Sequence, residues 1–213
     1  MGQYWNAFVE DENKTVRIID RGTFKDYVMA KLMEHSWMLN DYICAVAHII
    51  YKHPTKLLWL GDYGSELLVE KLPDTQLAEL IRQDEGMYLP SYNVKGLYER
   101  LGNPDDIIFD YKGKYFCNHD LKTAISFDDY IKRCQDHTAE NDKDWIPSPI
   151  SLLTAIGSGL GGGDYGESCA NYDHVGDWAY SLVSIEDELP DGYTLDNDLY
   201  FTENDINPPK EGD

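Results

Sequence analysis

The stretch Gly157-Ser158-Gly159-Leu160-Gly161-Gly162-Gly163-Asp164-Tyr165-Gly166 limits what this chain can become more than any other. Glycine loses more backbone entropy on folding than any other residue, so such a run is neither a helix nor an ordinary strand. A folded scaffold must hold it. It follows the apolar run Ile150 to Ile156, and it has a short echo earlier in the chain. Leu60-Gly61-Asp62-Tyr63-Gly64 also follows an apolar run, Leu57 to Leu60. Two Gly-Asp-Tyr turns at the ends of adjacent strands would bring Asp62 and Asp164 near each other.

Around these turns the periodicities alternate without a regular βαβ rhythm. They predict an α+β fold: a single domain over 1–205 with a mainly antiparallel sheet, several helices and a long Gly-rich loop, then an acidic tail over 206–213. Tyr4 to Val9 and Thr15 to Ile19 read as a hairpin, and 24–33 as a helix. A second helix is capped by Asn40 or Asp41, with Ile43, Val46, Ala47, Ile50 and Tyr51 as its stripe. Strand 56–60, helix 65–71 and a helix capped by Asp74 follow. Further on come a hairpin over Ile107 to Asn118, a strand 121–125, a helix from Phe127 to Gln135 starting at Ser126, a connector from His137, and a strand over Trp178 to Ile185.

Several chemical motifs fail on context. Gly157 to Gly162 fits GxGxxG in letters, but GGGDYGES follows where a dinucleotide site needs a helix N-terminus. No Gly-Lys-Ser/Thr, GxSxG or HExxH occurs, and Asp196-Asn197-Asp198 lacks the glycine of a calcium loop. His35 sits at a predicted helix end, where the helix dipole already favours a histidine. His119 and His174 lie in turn-like surroundings. The four cysteines are far apart and suit reduced thiols. The weak catalytic candidates are therefore His35, Asp62 and Asp164, with the two aspartates also the weak metal candidates. No cofactor is predicted beyond a divalent cation in that reading. The predicted binding surface is Gly61, Asp62, Tyr63, Gly161, Gly162, Gly163, Asp164 and Tyr165, with Trp178 pinning the glycine segment.

Charge supplies the other functional signal. The net charge is −21, and residues 151–213 hold 14 acids against Lys210 alone, about −13 of that total. Such a field repels phosphates and anionic lipid and draws in cationic protein surfaces. A basic protein partner is expected, with no direct nucleic-acid or membrane binding. The opening residues show no basic and apolar leader, and no apolar run approaches a membrane span, so a cytoplasmic location is expected.

Met1-Gly2-Gln3-Tyr4-Trp5, Ala30 to Trp37 with Asn40, Trp59 to Tyr63, Phe116 to His119, and Pro149 to Tyr165 followed by Val175 to Trp178 span nearly the whole chain. In these segments the chain resembles a family of uncharacterised proteins of bacteria and their phages. The resemblance implies a small intracellular phage-type accessory protein, in the host cytoplasm if phage-encoded, and brings no assigned reaction or catalytic residue. With the acidic end it implies a protein that binds a basic host or phage protein, such as a nucleic-acid-binding defence enzyme. The alternative is a small hydrolase or metal- or ligand-binding enzyme that uses Asp62, Asp164 and His35, with Mg²⁺ or Ca²⁺, around the Gly-rich loop.

Overall fold

In the computed structural model of the chain, the residues described are 3–10, 14–19, 31–32, 36–82, 93–101, 106–138, 145–166 and 169–202. Among them six helices and eight strands form an α+β fold on one mixed, mostly antiparallel sheet. The strands are β1 Trp5–Glu10, β2 Val16–Ile19, β3 Thr55–Gly61, β4 Tyr115–Asn118, β5 Thr123–Ser126, β6 Ala155–Ile156, β7 Leu182–Glu186 and β8 Thr194–Leu195. The helices are α1 Asp41–Ile50, α2 Ser65–Lys71, α3 Gln76–Arg82, α4 Val94–Arg100, α5 Phe127–His137 and α6 Pro149–Leu153.

Strand order is β2-β1-β3-β7-β4-β5-β8, with β6 added to β3. Only β3–β6 and β5–β8 are parallel. β3 shares one edge between two partners: β7 pairs at Thr55 and Lys56, and β6 takes over at Trp59 and Leu60. This split edge sets the site geometry. β3 and β6 run side by side off the same end of the sheet, each into its own glycine turn.

Alternation sorts the strand residues between two layers. Trp5, Ala7, Val9, Leu57 and Trp59 face the larger core, which extends from Trp5 to Phe201 and takes in most of α1. Phe8, Leu58 and Leu60 face the smaller one, closed by Leu68 of α2 and Leu77 of α3. The buried Tyr42 hydroxyl ties α1 to the sheet: it accepts from Ala7 N (2.8 Å) and donates to Ile19 O (2.6 Å). Both groups are thereby satisfied in a dry interior.

The N-terminal hairpin, α1 with Asn40 accepting from Tyr42 N (2.9 Å), and α5 capped by Ser126 follow the sequence reading. Four details differ. Thr75, not Asp74, caps α3, its hydroxyl accepting from Ala78 N (3.2 Å). Residues 107–111 form no hairpin arm: Ile107, Phe109 and Tyr111 plug the core from an irregular segment, and β4 finds its partners in β5 and β7. His137 belongs to α5. Trp178 to Tyr180 is turn, and the strand begins at Leu182. The predicted helix 24–33, apart from Lys31 and Leu32, lies outside the described residues, as does the tail 206–213.

Candidate functional site

The glycine turns close around the first described residues, Gln3 to Trp5. Gln3 is fully buried. Its amide donates to Gly157 O (2.9 Å), and its backbone N–H donates to Gly162 O (3.2 Å). A methyl group on Gly61 would lie 2.1 Å from Gln3 Nε2, and one on Gly161 would lie 2.5 Å from Gln3 Cβ. Gly157, at φ +102°, leaves only 2.9 Å between such a methyl and Gly64 Cα. Glycine at 157 and 161 lets backbone segments approach closely, and glycine at 61 leaves room for the Gln3 side chain.

The aspartates complete the clasp. Asp62 brackets Tyr4: its carboxylate accepts from Tyr4 N (3.1 Å) and its N–H donates to Tyr4 O (2.9 Å). Asp164 accepts from the Trp5 indole N–H (3.0 Å) and from Gly161 N (3.0 Å) in its own turn. Partial burial raises the Asp164 pKa, against the lowering effect of these donors. The two Gly-Asp-Tyr turns are thus brought together on either side of the N-terminal strand. Tyr63 and Leu160 remain exposed at their tips, while Tyr165 is buried with its ring edge-on to Phe201. Gly163 lies against the Lys31 stem.

His35 lies outside the described residues. Trp178 sends its backbone N–H to Leu153 O (2.7 Å), and its ring packs on Phe116 with centroids 5.0 Å apart. The indole that holds the glycine segment is that of Trp5. Among the described residues no group of three or more His, Cys, Asp or Glu side chains is placed to hold a metal ion.

A second constellation gave no motif in the sequence. Asn118 accepts from Asp120 N and Leu121 N, and Asp120 accepts from Leu182 N, so the tight turn after β4 is docked on β7. This presents His119 to the buried Ser184, with Nε2 to Oγ at 2.7 Å. Ser184 gives its one hydroxyl proton to Glu186, so the ring Nε2–H must donate to Ser184. The other ring nitrogen, Nδ1, lies in hydrogen-bond contact with the Tyr193 hydroxyl at 2.7 Å. The result is a hydrogen-bonded chain of side chains linking Tyr193, His119, Ser184 and Glu186. The two links at His119 span 65 and 74 residues of sequence, so only the folded sheet reveals the chain.

Among the described residues of the acidic third, Asp173, Asp177, Asp187, Glu188, Asp191, Asp196 and Asp198 are exposed, while Asp164 and Glu186 are half-buried. A few are paired. Asp187 receives Lys52, Lys114 (3.3 Å) and the Tyr51 hydroxyl (2.8 Å). The Lys52 ammonium chiefly, with Tyr51, holds its pKa down at about 2. His174 meets Asp177 at 2.7 Å, and that hydrogen bond raises the imidazole pKa. Arg133 reaches Asp198 at 3.8 Å. All four cysteines are buried free thiols, and desolvation lifts Cys44 and Cys134 to about 11 and Cys117 and Cys169 to about 12. Thiols so shifted are poor nucleophiles.

No family model, no curated protein and no solved structure matches the chain. Among the described residues no helix is long and apolar enough to cross a membrane.

Proposed function

We propose that the protein is a non-enzymatic, phage-type accessory protein whose acidic surface binds a basic host or phage protein, of the kind that itself binds nucleic acid in a defence system. The observation that carries this reading is the outward display of carboxylates from Asp173 to Asp198, a stretch that contains no lysine or arginine. The cations that reach it, Lys52, Lys114 and Arg133, come from elsewhere in the chain and serve Asp187 and Asp198. Asp173, Asp191 and Asp196 are exposed carboxylates beyond those pairs and the His174–Asp177 pair, and such surface carboxylates steer association with a cationic partner.

Surface-immobilised protein should bind a purified basic nucleic-acid-binding protein at low salt. Binding should weaken steeply as salt rises, and duplex DNA should compete for the partner. A variant with Asp173, Asp177 and Asp196 changed to Asn should bind less at every salt concentration. Equal binding by that variant, at unchanged melting temperature, would remove the proposal.

The enzyme alternative assigns chemistry to Asp62 and Asp164. Both carboxylates instead accept hydrogen bonds from the N-terminal strand, which favours the binding reading. Thermal melting with EDTA and with Mg²⁺ or Ca²⁺ separates the two. Stabilisation by one ion, lost in Asp62→Asn and Asp164→Asn, would select the enzyme.

A further inference from the structure

The chain contains one Asp-Gly pair, Asp191-Gly192, and no Asn-Gly. It forms the centre of the turn Pro190 to Tyr193, closed by Tyr193 N donating to Pro190 O (3.2 Å), with Gly192 at φ +80° as a type II turn requires. Both central residues are exposed, and a methyl group built on Gly192 would meet no atom within 4 Å. Among the described residues neither the Gly192 amide nor the Asp191 carboxylate has a hydrogen-bond partner. The contrast with Asp62 and Asp164 is direct, since the fold holds both of those carboxylates in place.

We propose that Asp191 is a site of spontaneous backbone isomerisation, by which the turn that aims Tyr193 at His119 ages into an isoaspartyl linkage. The main-chain nitrogen of Gly192 attacks Asp191 Cγ. The N–Cγ bond forms and the carboxyl oxygen leaves as water with the amide proton and the acid proton, giving a five-membered succinimide. Water then adds at the α-carbonyl, and the bond from that carbon to the Gly192 nitrogen breaks. The chain now runs through the former side-chain carbonyl, and the α-carboxylate is free. One water is lost and one regained, so mass is unchanged. The backbone gains one methylene between Asp191 Cα and Gly192 N. That lengthens a turn whose geometry sets the 2.7 Å bond from Tyr193 to His119.

The test is prolonged incubation of the full folded chain at neutral pH and physiological temperature. Peptide mapping with electron-transfer fragmentation locates isoaspartate, and methylation by an isoaspartyl methyltransferase counts it. Isoaspartate should accumulate chiefly at 191 and be lost in Asp191→Glu, which would need a less favourable six-membered ring. Nitrogen NMR shifts of the His119 ring should change in the isomerised fraction and stay unchanged in incubated Asp191→Glu. Accumulation at 191 in urea but not in the folded chain would show that the turn blocks the attack and would overturn the proposal. So would equal accumulation at other aspartates, or an isomerised fraction whose His119 shifts match those of fresh protein.

Discussion

The glycine clasp and the His119 chain lie at different places on one sheet and solve the same problem in opposite ways. Each must join segments remote in sequence through polar side chains. At the clasp, side chains of Gln3, Asp62 and Asp164 mostly bind backbone amides and carbonyls, and glycine lets the segments close up. In the chain from Tyr193 to Glu186 every link is side chain to side chain. Backbone partners are fixed by the fold, so the clasp tolerates no added volume. Side-chain partners have one assignable proton each, so the chain tolerates no lost donor. One region is limited by sterics and the other by hydrogen-bond count.

Trp178→Ala should produce the largest effect, about 3–5 kcal/mol, because it empties a buried indole site against Phe116. Its effect on proteolysis within 157–166 should follow global unfolding. Trp5→Phe keeps most of the ring volume and removes the N–H that Asp164 accepts, so cleavage there should rise ahead of unfolding. If Trp178→Ala instead exposes the glycine segment while the rest stays protected, the clasp depends on Trp178 after all.

Gly157→Ala comes next, on the order of 3 kcal/mol, combining a left-handed φ with overpacking against Gly64. Gly113→Ala is its control, since Gly113 also has positive φ (+69°) but open space around it, and should cost about 1 kcal/mol. Equal losses in denaturant melts would show that strain alone, and not close approach, makes glycine necessary at the clasp. Ser184→Ala should cost about 1–3 kcal/mol, since it strands the His119 N–H and a Glu186 acceptor. The nitrogen NMR shifts of the His119 ring should then change while the hydrogen bonds of the clasp persist.

How far these regions could be read beforehand follows from the range of the forces involved. Asn40 and Ser126 were legible as caps because a cap acts within one turn of chain. The echo of Gly61-Asp62-Tyr63 in Gly163-Asp164-Tyr165 was legible as a repeated pattern, but the two segments differ: Gly61 ends a strand with Tyr63 exposed, whereas Gly163 has φ +83° and Tyr165 is buried. Gln3 carries no pattern, and only the parallel run of β3 and β6 explains why it lies between them. Residues 107–111 read as a strand because Ile107, Phe109 and Tyr111 alternate. They alternate because they enter the core from an irregular segment, where burial imposes the same period without a ladder partner. His119 was invisible as a site because Ser184 and Tyr193 reach it only through β4–β7 pairing and the turn before β8.

The smallest expected effects distinguish burial from pairing through their pH dependence. Asp164 and Asp187 have the same ordinary pKa of 3.8 and are shifted in opposite directions, the first up by desolvation, the second down to about 2 by Lys52 and its neighbours. A raised carboxyl holds its proton longer in the folded state than in the unfolded one. Asp164 therefore costs stability as pH rises from the ordinary value through its folded value. A depressed carboxyl does the reverse: the contribution of Asp187 is present above the unfolded value and is lost as pH falls toward about 2. In urea melts across pH, the stability difference of Asp164→Asn from the parent should move in the variant's favour as pH rises. That of Asp187→Asn should move against the variant. Salt should flatten the Asp187 curve, because its chief partner Lys52 is solvent-exposed, and leave the Asp164 curve standing, because desolvation is not screened. Two curves of the same sign would mean that the Trp5 and Gly161 hydrogen bonds outweigh burial at Asp164, making the clasp an electrostatic device rather than a steric one.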